Sequence, residues 1–256
     1  GPACLRLRVV MDGDGWERVL PSVKYKDALH SRLEALISDN YPDDVSIDGF
    51  FKENFVINRP KDVVSGDFYW VGKSGNTRIV AVGDCTGHGV PGAFMSLIGL
   101  KILNQSIKNQ KINSPAQALD YLNKEVYNTM NKHAGSESII RDGMDVALVS
   151  INFSNLMLYF SGAKNPVYII RKGEVHEIKG DKQPIGYSEA PASFIDHQYQ
   201  LEKGDMVYVF SDGFADQFGG PKGKKMKYKL FKNKLVENSE LDVQIQEKEL
   251  DKLFYD

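Results

Sequence analysis

The 256 residues carry 32 lysines and arginines against 34 aspartates and glutamates, a net charge of −2, with 42% hydrophobic and 26% charged residues. That balance suits one large globular domain with a sizeable core, and it disfavours nucleic acid or anionic lipid as a partner. No apolar run reaches the roughly 20 residues of a membrane span, and Cys4 and Cys85 alone imply no disulfide framework, which points to a reducing, cytoplasmic setting.

Gly1-Pro2 resembles a cleavage remnant. Leu5 to Val10 alternates like a strand and runs into the turn cluster Asp12-Gly-Asp-Gly15, where the spacing of a calcium loop is not matched. Residues 1–23 are therefore a lead-in without an assigned role. Over Lys24 to Ser38 the residues Tyr25, Ala28, Leu29, Leu33, Leu36 and Ile37 recur at three- and four-residue intervals, which predicts an amphipathic helix within a segment 24–40. Such a helix either pairs with a second copy and transmits a signal, or packs on its own domain.

Asn40-Tyr-Pro-Asp-Asp44 ends that helix, and the main domain is expected over 41–256. Phe50 to Ile57 reads as a strand. Phe68 to Trp70 and Thr77 to Val82 read as a hairpin about Lys73-Ser-Gly-Asn76, an arrangement that brings Asp67 and Asp84 to one end. The stretch Val80-Ala-Val-Gly-Asp-Cys-Thr-Gly-His-Gly-Val-Pro-Gly92 reads as strand, glycine-rich turn and helix, the helix running from Pro91 to about Lys108. Asn113-Ser-Pro115 predicts the start of a second helix, to about Asn131. Met144 to Phe153, Met157 to Ser161, Val167 to Arg171, Val175 to Ile178, Gln198 to Leu201 and Met206 to Phe210 then predict an antiparallel meander. The last of these strands empties into Ser211-Asp212-Gly213. Beyond it the chain is helical in tendency, and its lysine-rich run from Lys222 to Lys234 reads as a solvated face.

Asp67, Asp84 and Asp212 thus each sit at a predicted strand end beside a turn. Carboxylates converging with open backbone between them suit hard cations such as Mg²⁺ or Mn²⁺, whereas the five histidines lack the spacing of a zinc site. Two such cations activate water and clamp phosphoryl oxygens. Taken singly, Asp84-Cys85 and Asp212-Gly213 read first as simple turns, Asp84 capping the helix that follows it.

Val63-Val-Ser-Gly-Asp-Phe-Tyr-Trp70, Val82-Gly-Asp-Cys-Thr-Gly-His-Gly-Val-Pro-Gly-Ala93, Gly143-Met-Asp145, Tyr159-Phe-Ser-Gly-Ala163 with Asn165-Pro166, Gln183-Pro-Ile-Gly186 and Phe210-Ser-Asp-Gly213 occur in the order seen in the SpoIIE branch of the type 2C metal-dependent serine/threonine phosphatases. From about Phe50 to Asp256 the chain resembles that family. The resemblance implies an α+β fold, a four-layer α-β-β-α sandwich of two mainly antiparallel sheets flanked by helices, with two Mn²⁺ or Mg²⁺ ions per complete site. It makes Asp84 the bridging ligand, joined by the Cys85 backbone carbonyl, Asp67 and Asp212, and places Asp142 and Asp145 near a weaker metal position. His88 becomes a candidate proton donor, beside the reading of a histidine bonded to the turn backbone; Arg59 and Lys61 become candidate phosphate contacts, beside solvated-strand readings.

The family's closing strand carries an Asp-Asp pair that supplies a further ligand, and no such pair follows Asp212. Asp43-Asp44 comes too early to be that pair. The expectation is a truncated last strand and a weakened second metal position. The implied activity is hydrolysis of phosphoserine or phosphothreonine on a phosphorylated regulatory protein, such as an anti-sigma-factor antagonist, under an upstream sensor and with homodimer contacts through 24–40. The competing reading is a non-catalytic, phosphatase-like dimerisation or partner-binding module.

Overall fold

The structure, a computed structural model, describes residues 6–12, 47–59, 66–87, 89–109, 112, 114–132, 140–216, 218–219 and 224–253. In chain order these form β1 (Arg6–Asp12), a 3-10 turn (Ile47–Gly49), β2 (Glu53–Arg59), β3 (Phe68–Ser74), β4 (Thr77–Cys85), α1 (Gly89–Asn104) with a π turn after it (Gln105–Asn109), α2 (Pro115–Asn131), β5 (Met144–Asn152) and β6 (Met157–Ala163). There follow β7 (Val167–Arg171), β8 (Glu174–Ile178), β9 (His197–Gln200), β10 (Met206–Phe210), α3 (Gly213–Asp216), the short β11 (Phe218–Gly219) and β12 (Lys224–Lys225), α4 (Lys227–Asn238) and α5 (Val243–Lys252). The helix expected over 24–38 lies outside the described residues. Among the described residues no helix is long and apolar enough to cross a membrane.

The strands make two five-stranded sheets, ordered β3-β4-β5-β6-β9 and β2-β1-β10-β7-β8. All pairings in the first are antiparallel. In the second, β1 lies between β2 and β10 and is parallel to both, so the strand-like run that the sequence left without a role sits inside the sheet. Only the β10-β7 and β7-β8 pairings there are antiparallel.

Because side chains alternate along a strand, one β-branched run serves two cores. Val80 and Val82 of β4 face the space between the sheets with Val167, Ile169, Val207 and Val209. Ile79 and Ala81 point the other way, against Leu100, Leu103, Leu119 and Leu122 of α1 and α2. On the far side, Tyr168, Tyr208 and Phe210 pack against Phe231, Leu235 and Leu250 of α4 and α5. Three apolar layers between four layers of structure give the α-β-β-α sandwich, with strands buried on both faces and hence apolar along their length.

Local chemistry fixes the elements near the site. In α2, Ser114 caps the helix by accepting from the Gln117 amide, and Pro115 takes the first turn, where its missing N–H costs nothing. Trp70 Nε1 donates to Asn104 Oδ1 at 2.9 Å, holding the end of α1 against β3. The hairpin turn tightens to Gly75-Asn76, with Gly75 at φ +57°, and Ser74 pairs with Thr77.

Candidate metal centre

Both sheets present strand ends along one edge. In the β3-β4 hairpin Phe68 pairs with Gly83, so Asp67 and Asp84 follow at the same end, as the sequence leads one to expect. Asp145 of β5 is the register partner of Asp84. From the opposite sheet, β10 delivers Ser211 and Asp212 to this edge, and Ser211 Oγ donates to Asp67 Oδ2 at 2.7 Å. That hydrogen bond joins the two sheets at the site.

The Asp84 carboxyl lies within hydrogen-bonding reach of both Asp212 and Asp67, and its pKa is pushed up from 3.8 to about 9. Burial is the largest cause, followed by the negative charges of Asp67 and Asp212. Burial also raises Asp145, offset by Lys164, whose Nζ stands 3.1 Å from Asp145 Oδ1, and reinforced by Asp212. Burial raises the Cys85 thiol well above its usual range, with Asp84 and Asp67 adding to it, so this sulfur is an inert thiol.

The backbone is packed tightly beneath the carboxylates. A Cβ placed on Gly66 would meet the Gly87 carbonyl oxygen at 2.8 Å, and one on Gly92 would meet the same oxygen at 2.6 Å. These glycines let the start of α1 close onto the Asp67 segment, with Gly87 at φ +88° carrying the turn. Across the edge, the Thr86 amide donates to the Gly143 carbonyl at 2.9 Å, and the Gly143 amide donates to Thr86 Oγ1 at 3.3 Å, fixing the chain after Asp84 to the start of β5.

Asp67, Asp84 and Asp212 are therefore brought together. Asp142 is exposed on the loop before β5; Asp145, two residues on from Gly143, is the register partner of Asp84 and feels the charge of Asp212. Arg59 ends β2, with its side chain outside the described residues, and Lys61 and His88 lie outside them altogether. Two contacts escaped sequence reasoning. Ser211 was visible only as part of Phe210-Ser-Asp-Gly213, and Lys164 only as part of the Gly162-Ala-Lys-Asn165 turn, where it adopts φ +60°.

The donor set is all oxygen and electrostatically incomplete. Three carboxyl groups in partial burial cannot all ionise unless a cation or a proton offsets them, which suits Mg²⁺ or Mn²⁺. The side chains lie against one another in two pairs that share Asp84, and among the described residues no group of three or more His, Cys, Asp or Glu forms a ready-made cage.

An α-β-β-α sandwich with an acidic centre between the two sheet edges is the architecture of PP2C-type phosphatase domains, a metal-dependent class. The family model described as "Stage II sporulation protein E (SpoIIE)" matches residues 74–253, and the chain belongs to that family. A model of succinylarginine dihydrolase matches residues 1–61, under a quarter of the chain. Among curated proteins, the phosphoserine phosphatase RsbU of Bacillus subtilis (strain 168) is 27% identical over 171 residues, 62% of this chain and 45% of RsbU. The chain thus spans less than half the length of that relative. Among solved structures, the SiaA-PP2C domain of Pseudomonas aeruginosa superimposes with a TM-score of 0.77 at 28% identity, covering 90% of this chain and 89% of that one. The SpoIIE phosphatase domain with a fragment of its regulatory domain, from Bacillus subtilis, gives a TM-score of 0.60 at 21% identity over 76% of this chain and 53% of that one, a likeness of fold.

Proposed function

We propose that this chain removes phosphate from phosphoserine or phosphothreonine on a regulatory protein, with Mn²⁺ or Mg²⁺ held by Asp67, Asp84, Asp212 and the backbone carbonyl of Cys85. The observation that carries the reading is the convergence of three carboxyls at the meeting edge of the sheets, Asp84 within hydrogen-bonding reach of both Asp67 and Asp212, a crowding that with burial raises the Asp84 pKa. A carboxyl so placed loses its proton to solvent readily only when a divalent cation takes the proton's place and offsets the neighbouring charges. When bound, the cations supply a Lewis acid for the phosphoryl oxygens and a nucleophile from water at neutral pH. Asp84, which lies within reach of both Asp67 and Asp212, would be the carboxylate common to the bound cations. Asp67 is oriented by the Ser211 hydroxyl, and Asp212 begins the turn into α3. Lys164 neutralises Asp145 beside the centre, leaving net negative charge concentrated on the other three carboxyls. A nucleophilic cysteine has no part in the reading, because the Cys85 thiol stays protonated.

The name of the RsbU relative supports a phosphoserine substrate, and the likeness to the SiaA-PP2C domain supports phosphatase activity more broadly. The test is phosphate release from a phosphoserine peptide with manganese or magnesium and with a chelator. Turnover that rises about a hundredfold or more with metal is expected, in line with the weight of metal assistance in hydrolysis. Metal-independent turnover, or none with either metal on several phosphopeptides, contradicts the proposal.

A further inference from the structure

We propose that a lysine-lined cavity beside the acidic centre is a docking subsite for acidic residues that flank the phosphorylated residue of the protein substrate. This inference rests on the phosphatase reading above. The cavity has a volume of about 460 Å³, within the range of sites that hold several side chains. Lys164, Lys179 and Lys182 line it, and Tyr168 and Tyr228 add aromatic wall.

Its place in the fold ties it to the reaction. Val167 of β7 pairs both with Val209, near the end of β10, and with Ile178, the end of β8, so the segments before β7 and after β8 lie at the edge where Ser211 and Asp212 emerge. Lys164 forms the link: it lines the cavity and also bonds Asp145, the register partner of Asp84. One ion pair therefore separates the cavity from the carboxylate centre. The rim is held by backbone, with the Lys164 amide donating to the Asp181 carbonyl and the Asp181 amide to the Gly162 carbonyl, each at 2.7 Å.

The charge count selects the ligand. Of the two acids in the lining, Glu177 is bound by Lys232 at 2.9 Å, and the Asp181 carboxylate accepts from the Ile195 amide at 3.0 Å. Lys179 and Lys182 are exposed and make no ion pair among the described residues. Two unpaired ammonium groups beside a centre of opposite sign sort a phosphopeptide by its flanks: the cavity attracts carboxylates, and the metal-loaded centre takes the phosphate.

The test compares two phosphoserine peptides, one flanked by glutamates and one by glutamines, on the wild type, on Lys179→Glu/Lys182→Glu, and on Lys172→Glu/Lys203→Glu. The last makes the same charge change at the opposite edge, in the β7-β8 turn and ahead of β10. The wild type is expected to prefer the acidic peptide in kcat/KM by on the order of tenfold, less at high salt. Lys179→Glu/Lys182→Glu brings that ratio to about one or inverts it, and the far-edge pair keeps it. A wild-type ratio near one, or equal loss in both double variants, overturns the subsite. If no phosphopeptide and no small aryl phosphate is turned over with manganese, the phosphatase reading fails by itself. Fluorescence anisotropy of a labelled acidic peptide, with and without the lysine pair, then still decides whether the cavity binds it.

Discussion

The two sheets are assembled by different means. In β3-β4-β5-β6-β9 every pairing is antiparallel, and the β3-β4 and β5-β6 pairs are hairpins closed by short turns. In the other sheet the central pairing joins Arg6 to Met206, 200 positions along the chain and parallel. Closing so long a loop costs entropy before any contact repays it, so this sheet depends on packing with its neighbour more than on local preference. The acidic centre spans both, with Asp67, Asp84 and Asp145 on the local sheet and Asp212 on the distant one. A site divided this way exists only when the sheets are docked.

If the centre belongs jointly to both sheets, Asp84→Asn and Asp212→Asn should each lower metal-dependent kcat/KM by about 10³-fold or more, and the double variant should add little, because the residues act as one unit. Steady-state kinetics on the phosphoserine peptide check this; an additive double variant would separate their roles.

A structural change comes next in size. Asp205, just before β10, is buried and takes two bonds from Arg171, at 2.9 Å from Nε and 2.6 Å from Nη2, together with the Glu202 amide at 2.8 Å. Asp205→Ala removes two of the guanidinium's bonds and leaves it Glu202 and the Gln200 carbonyl; it is expected to cost about 2 kcal/mol, below the roughly 3–5 kcal/mol of a broken buried pair because Arg171 keeps these partners and 22% exposure. Urea denaturation measures it. Hydrogen exchange should show the loss concentrated in β7 and β10, while β4 and β5 keep their protection; uniform loss would show that the sheets unfold as one unit.

Ser211→Ala removes the bond that crosses between the sheets at the site. The expected effect is about 1 kcal/mol in stability with a few-fold weaker manganese binding. Unchanged metal affinity would mean that Asp67 needs no help to be oriented.

A further effect, confined to the metal-free protein, concerns pH. With its folded pKa near 9 against 3.8 for the free group, Asp84 holds its proton more tightly folded than unfolded. Its contribution to stability is fully present below about pH 4 and is lost as pH rises toward 9. Asp84→Asn should flatten this slope in thermal melts with chelator, and an unchanged slope would place the cause elsewhere.

Much of the local half could be read in the residues. Ser114-Pro115 announces α2, Gly75-Asn76 announces its hairpin, and the common end of Asp67 and Asp84 follows from strand pairing alone. The distant half could not be read in the same way. Leu5 to Val10 alternates like a strand but carries no mark of its partners, which lie in segments remote from it. The lysine run read correctly as solvated for Lys227 and Lys229, yet it conceals Phe231 and Leu235, which fill the outer core at helical spacing. Lys164 gave no signal either, since only the fold brings it to Asp145.

The central claim is that Asp84 exchanges a proton for a divalent cation shared with Asp67 and Asp212. Calorimetric titration of manganese into wild type and Asp84→Asn, at pH 6 and pH 8 in buffers of different ionisation enthalpy, tests it most directly. The account predicts binding to the wild type that tightens with pH and releases protons, and binding to Asp84→Asn that is weaker by orders of magnitude and nearly independent of pH. Equal affinity in the two proteins, or wild-type binding without proton release, would contradict it.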